Sequence, residues 1–195
     1  MSLRNPPDRW GAVSQTLHWG VVLLILGIAT IGLLMGDMRP SPAKVQAYAL
    51  HKSLGLTLLA LAVLRLCWRL AAGAPAPVAG TPRWQARVAA ATHWMLYGLL
   101  FAIPLSGWTF NSAAGFPLQW FGLFNLPPLV GRDAALRAAA GDLHVRLFWT
   151  LVGVALLHAA AALHHHLIRR DATLVRMLPR AWSSSRGRPP SPLQD

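Results

Sequence analysis

Residues 143–166 read LHVRLFWTLVGVALLHAAAALHHH, an apolar run that carries His144 and His158 and closes on three further histidines. On an α-helix the fourteen residues from His144 to His158 rise about 21 Å and fall about 40° short of four whole turns, so both imidazoles lie on one face. A bilayer's hydrocarbon layer is about 30 Å thick and takes about 20 apolar residues to cross. A helix of this length spans it, with one histidine near each surface. Neutral imidazole is the commonest metal ligand among side chains. Two of them at two depths of one membrane helix point to two stacked metal centres, with haem iron the first candidate.

Three more segments of the same kind precede this one, at roughly Val13–Met35, Ala49–Leu70 and Val88–Ser112, and the last runs Leu143–Ile168. In lipid only a helix satisfies its own backbone within one segment. The expected architecture is therefore all-α, an integral membrane four-helix bundle, enclosing two haems if the histidines hold iron. Residues 1–12 form a short N-terminus, 13–170 the bundle and 171–195 a basic tail. Composition agrees: the chain is 54% hydrophobic and 12% charged, with a mean hydropathy of +0.42, where soluble domains carry about twice that charge. The first apolar run exceeds a signal-peptide core and contains His18, so it reads as a retained helix. One cysteine, Cys67, leaves no intrachain disulfide and no thiolate cluster.

The connections differ in length. Gly36–Lys44 is a short turn with Pro40 and Pro42 as breakers, Ala71–Pro82 is a Pro/Gly/Ala linker, and Pro104 falls inside the third helix, where it favours a kink. Ala113–Asp142 is the long connection. Its Phe116, Trp120, Phe121 and Phe124 read as an interfacial aromatic belt or as a lid over a site, and Asp133–Ala140 as a short helix of its own.

Eighteen Lys and Arg oppose six Asp, a formal charge of +12. The basic residues flank apolar spans instead of gathering on a polar domain, which speaks against nucleic acid as partner and for membrane lipid. Arg4, Arg9, Arg65, Arg69, Arg83, Arg87, Arg169, Arg170, Arg176, Arg180, Arg186 and Arg188 fall toward one side; Arg39, Lys44, Lys52, Arg132, Arg137 and Arg146 fall toward the other. The positive-inside rule then makes both termini cytoplasmic. The chain is then a multi-pass membrane protein.

That topology sorts the histidines. His18, eight residues past Trp10, and His158, eleven before Arg169, lie about 12 and 16 Å from the cytoplasmic boundary at 1.5 Å per residue. His51 opens the second helix and His144 the fourth, both at the outer surface. The expected pairs are His18 with His158 for an inner iron and His51 with His144 for an outer one. A bis-imidazole iron is closed and suits electron transfer.

Other side chains carry two readings each. Arg65, fourteen residues after His51, is placed to meet a haem propionate or to snorkel to the headgroups. His93, at the inner level, and His165, seven residues beyond His158, are quinone candidates, or ordinary polar residues at the membrane face. Lys52 and Arg146, next to the outer pair, would attract a small anion or anchor their helices at the interface.

RWGAVSQTLHW, ALHKSLG, DLHVRLFW, LLHAAAALHHH and DATLVRMLPR together resemble the bacterial cytochrome b561 family, over nearly all of residues 8–180. That family is related to the di-haem b subunits of nickel–iron hydrogenases. The resemblance implies that His18, His51, His144 and His158 are haem ligands and that electrons pass between the outer face and the quinone pool. Superoxide oxidation with ubiquinone as acceptor is an activity among relatives. A membrane anchor and electron conduit for a partner dehydrogenase or hydrogenase is the other function it suggests. The 113–142 connection and the tail after Arg180 fall outside what the resemblance matches well.

Overall fold

Each apolar segment coils into one uninterrupted helix, and the computed structural model, which describes residues 3–179, extends them beyond their apolar stretches. The helices are α1 (Ala12–Asp37), α2 (Pro42–Ala72), α3 (Arg83–Ala113) and α4 (Ala134–Leu167). All four are long and apolar enough to cross a membrane. The fold is a membrane helical bundle.

Two helix starts differ from expectation. Pro42 does not break the chain but sits in the first turn of α2, where Ser41 accepts a hydrogen bond from the Lys44 amide; proline at that position loses no helical hydrogen bond. In the fourth segment the separate short helix is absent, and α4 runs on from an Asp133 cap whose carboxylate accepts from the Leu136 amide. His51 and His144 therefore do not open their helices. They lie nine and ten residues in, about 14–15 Å along the axis. Pro104 is buried within a continuous α3.

The long connection folds into a hairpin, β1 (Leu118–Trp120) paired antiparallel with β2 (Phe124–Leu126). Phe121 and Gly122, with φ of 48° and 75°, supply the positive dihedrals that tight hairpin turns require. The hairpin is tied to α2: Lys52 Nζ donates to Asn111 Oδ1 and to the Pro117 carbonyl, Ser53 Oγ accepts from the Phe121 amide, and Trp120 Nε1 donates to Thr57 Oγ1. Phe116, Phe121 and Phe124 face outward. The connection thus lies against the flank of α2 just beyond His51, with an aromatic outer surface.

At the opposite end, residues 175–178 fold under α1. The Trp10 amide and Gln15 Nε2 donate to the Arg176 carbonyl, Trp19 Nε1 to that of Met177 and Arg9 to that of Leu178. Residues 180–195, most of the expected basic tail, lie outside the described residues.

α1 packs along α2, α2 along α3 and α3 along α4. The apolar core is Val21 and Ile28 of α1, Leu58 and Ala62 of α2, and Leu100 of α3. α4 buries only Ala140 and Leu151 of its 34 residues. Much of the rest of its apolar surface is exposed and suits lipid.

Candidate functional site

Each helix carries two positions fourteen residues apart: His18 and Gly32 on α1, His51 and Arg65 on α2, His93 and Gly107 on α3, His144 and His158 on α4. The spacing puts both members of each couple on one helix face, about 21 Å apart. Antiparallel packing gathers them into two layers. At the end bearing the termini, His18 and His158 have ring centres 6.4 Å apart, with the planes at 75°. At the hairpin end, His51 and His144 have ring centres 6.2 Å apart, with the planes at 72°. Val21, Ile28, Leu58, Ala62, Leu100 and Leu151 all fall between the two layers in sequence and separate them with apolar packing.

The remaining positions of each layer press on the histidines. A Cβ on Gly32 would stand 3.0 Å from Cε1 of His51, and one on Gly107 would stand 3.1 Å from Cε1 of His144. A methyl group at either position would make the facing ring give way by a few tenths of an ångström. His144 Nδ1 donates to the Ile103 carbonyl at 2.9 Å, with Ser106 Oγ at 3.1 Å, which leaves Nε2 as the free ligand nitrogen. His51 Nδ1 is buried and faces the Ile28 carbonyl without reaching hydrogen-bond geometry. In the other layer, Arg65 donates to His18 Nδ1 at 2.9 Å and lies over the Tyr97 ring at 5.4 Å, so the His18 proton sits on Nε2 and would have to move to Nδ1, with Arg65 turning away, before Nε2 could ligate a metal. His93 approaches His158, ring centre to ring centre, at 5.2 Å.

These residues fit an iron porphyrin. Two metal–imidazole bonds of about 2.0 Å, with the ring radius added on each side, put facing ring centres about 6.3 Å apart. The His18/His158 and His51/His144 couples stand at that spacing, and His93 stands too close to His158 to face it across a metal. The donors are imidazoles alone, and the missing side chains at Gly32 and Gly107 are what let the His51 and His144 rings take their places. Among the described residues no group of three or more metal-ligating side chains forms another metal site.

The other sequence candidates are scattered. Arg65 lies against His18. His165, half-buried just below the terminal layer, donates through Nδ1 to Asp171 Oδ2 at 2.5 Å. Burial pushes the Asp171 carboxyl up, but hydrogen bonds from His165 and Thr173 outweigh it and hold the group lowered to about 2. Lys52 is engaged with the hairpin, and Arg146 is exposed. Gly32, Gly107, Ser106 and Asp171 were not singled out from sequence. The fourteen-residue interval from His18 to Gly32 and from His93 to Gly107 is the signal that finds the two glycines.

Four apolar helices that set facing imidazoles in two layers define a class, the helical-bundle membrane cytochromes of b type. The chain belongs to the prokaryotic cytochrome b561 family, whose model matches residues 9–180. It is 36% identical to cytochrome b561 homolog 2 of Escherichia coli (strain K12), over 94% of this chain and 98% of the relative. Homolog 1 of the same organism is 30% identical over 89% of this chain and 98% of its own. A protein of Yersinia pestis named probable superoxide oxidase CybB is 29% identical, over 88% and 97%. Membership makes the chain an electron-transferring membrane protein, and the family implies b-type haem.

Proposed function

We propose that this chain is a di-haem b cytochrome of the bacterial inner membrane that oxidises superoxide at the periplasmic, hairpin-bearing face and reduces ubiquinone at the cytoplasmic face. The observation that carries the reading is the equal spacing of two imidazole couples at two depths, 6.4 and 6.2 Å. His18 and His158 would hold one haem, His51 and His144 the other. When bound, each haem would supply a one-electron ferric/ferrous couple.

The chain's own residues then have these tasks. The Ile103 carbonyl fixes the tautomer of His144, which keeps Nε2 a ligand. Gly32 and Gly107 allow the two hairpin-end rings their positions. Lys52 holds the hairpin on α2, and with the exposed Arg146 it gives this mouth a positive field that draws a small anion. His165, oriented by Asp171 and next to the terminal layer, is placed to hydrogen-bond a quinone oxygen and pass it a proton; His93 is the alternative quinone contact. The distant likeness to a probable superoxide oxidase supports superoxide as the donor.

Superoxide added to the purified protein should reduce the haem bands within the dosing time, and ubiquinone should reoxidise them. Haems that stay oxidised under superoxide would remove this activity. Co-migration with a dehydrogenase on native gels would favour the anchor-subunit reading instead.

A further inference from the structure

Residues 116–131, FPLQWFGLFNLPPLVG, carry no charged side chain, although connections outside a membrane are usually polar. Their hydrophilic side chains are Gln119 and Asn125, which the strand register sets opposite each other, within reach of one another across the hairpin.

The depth of the hairpin follows from what it binds. Ile25, Leu58, Leu100 and Leu151 each stand seven residues from both members of the fourteen-residue couple on their helix, and every helix is centred within two residues of that position. They mark the middle of the bundle. The hydrocarbon of a bilayer reaches about 15 Å to either side of its middle, half of about 30 Å, which is about ten residues of helix. Trp120 Nε1 donates to Thr57 Oγ1 at 3.1 Å, and the Phe121 amide donates to Ser53 Oγ at 3.0 Å. Thr57 and Ser53 lie one and five residues from Leu58, about 2 and 8 Å from the middle. The hairpin turn is thus no farther from the middle than His51.

Non-helical backbone is tolerated at such depth only where the protein satisfies it. Here α2, α3 and the hairpin itself do so. Ser53 Oγ also stands 3.2 Å from the Gln119 carbonyl, the Leu123 amide donates to the Trp120 carbonyl, Asn111 Nδ2 donates to the Phe116 carbonyl and Trp108 Nε1 to that of Pro127. Ser53 and Asn111 are buried, whereas Phe121, Leu123 and Phe124 at the turn are 48%, 73% and 54% exposed.

We propose that the 116–131 hairpin is a re-entrant element whose turn, Phe121–Phe124, lies among the acyl chains of the leaflet at the hairpin end. Lipid is the occupant of its apolar surface because that surface continues the exposed apolar side of α2 at Leu50, Val63 and Leu64. Ser53, two residues past His51, is on nearly the opposite face of α2, so the hairpin packs behind the His51 ring and not over it. A water-soluble donor would then reach the His51/His144 layer from the helix ends and not past the hairpin. The proposal requires the membrane topology alone and holds with or without haem.

Spin labels on single cysteines test it in the full chain reconstituted in phospholipid bilayers, with Cys67→Ser as background because Cys67 is exposed. Val63→Cys, five residues beyond Leu58 and exposed, is the lipid reference; Val45→Cys, thirteen residues before Leu58 and exposed, is the water reference. The label at Leu123→Cys should collide with oxygen and lose contact with a water-soluble nickel complex to the extent seen at Val63→Cys. Nickel contact equal to that at Val45→Cys would place the hairpin in water and overturn the proposal. Loss of both collisions would also overturn it, since a protein surface, another copy or a partner, would then cover the turn. Should Leu123→Cys fail to fold by circular dichroism, Phe124→Cys decides among the same three outcomes.

Discussion

At the scale of single residues, the histidines were legible because their chemistry is rare in a membrane helix and their spacing is periodic. Their immediate partners were less so. Gly107 looks in sequence like any small residue of a transmembrane helix, and only the packed structure shows that its missing Cβ makes room for His144. Arg65 was placed on the correct face by its distance from His51, but its contact with the His18 ring depends on how α1 and α2 pack. Overpacking of a filled site costs about 1–3 kcal/mol, and here the strain falls on a ring proposed to hold iron. Gly107→Val should therefore lower the haem content from two per chain toward one while the helical circular dichroism persists. Full haem content in that variant would show that the ring has slack to move.

At the scale of elements, hydropathy located all four helices because the bilayer fixes the length that must be apolar. It mislocated the starts of α2 and α4, since their first turns lie beyond the apolar stretch and are set by the Ser41 and Asp133 caps. The hairpin was hidden for another reason: its three-residue strands are held by contacts with Lys52, Ser53 and Thr57 more than by their own pattern. The segment after α4 is tied by the Asp171–His165 bond. Because the Asp171 carboxyl is lowered from 3.8 to about 2, the bond's contribution is fully present above about pH 4 and is lost as pH falls through about 2. Hydrogen exchange should accordingly show residues 171–178 loosening across that window, whereas in Asp171→Asn they should be equally loose at pH 5 and pH 2. An unchanged acid transition in the variant would assign the effect to another carboxylate.

At the scale of the whole molecule, the bundle is two layers of side chains separated by an apolar plug. Val21, Leu58, Ala62, Leu100 and Leu151 are buried between the layers, so apolar packing separates the two histidine couples along the bundle axis. The antiparallel order of the helices is what converts a fourteen-residue interval in each of them into two facing couples; no single helix holds a complete site. This part was readable in advance, since alternating direction alone assigns His18 to the level of His158 and His51 to that of His144. The most direct measurement is haem b per chain by pyridine haemochrome, taken on the wild type and on His18, His51, His93, His144 and His158 each replaced by Ala. Two haems are expected in the wild type and in His93→Ala, and one in each of the other four variants. One haem in the wild type, or two in His18→Ala with one in His93→Ala, would contradict the pairing.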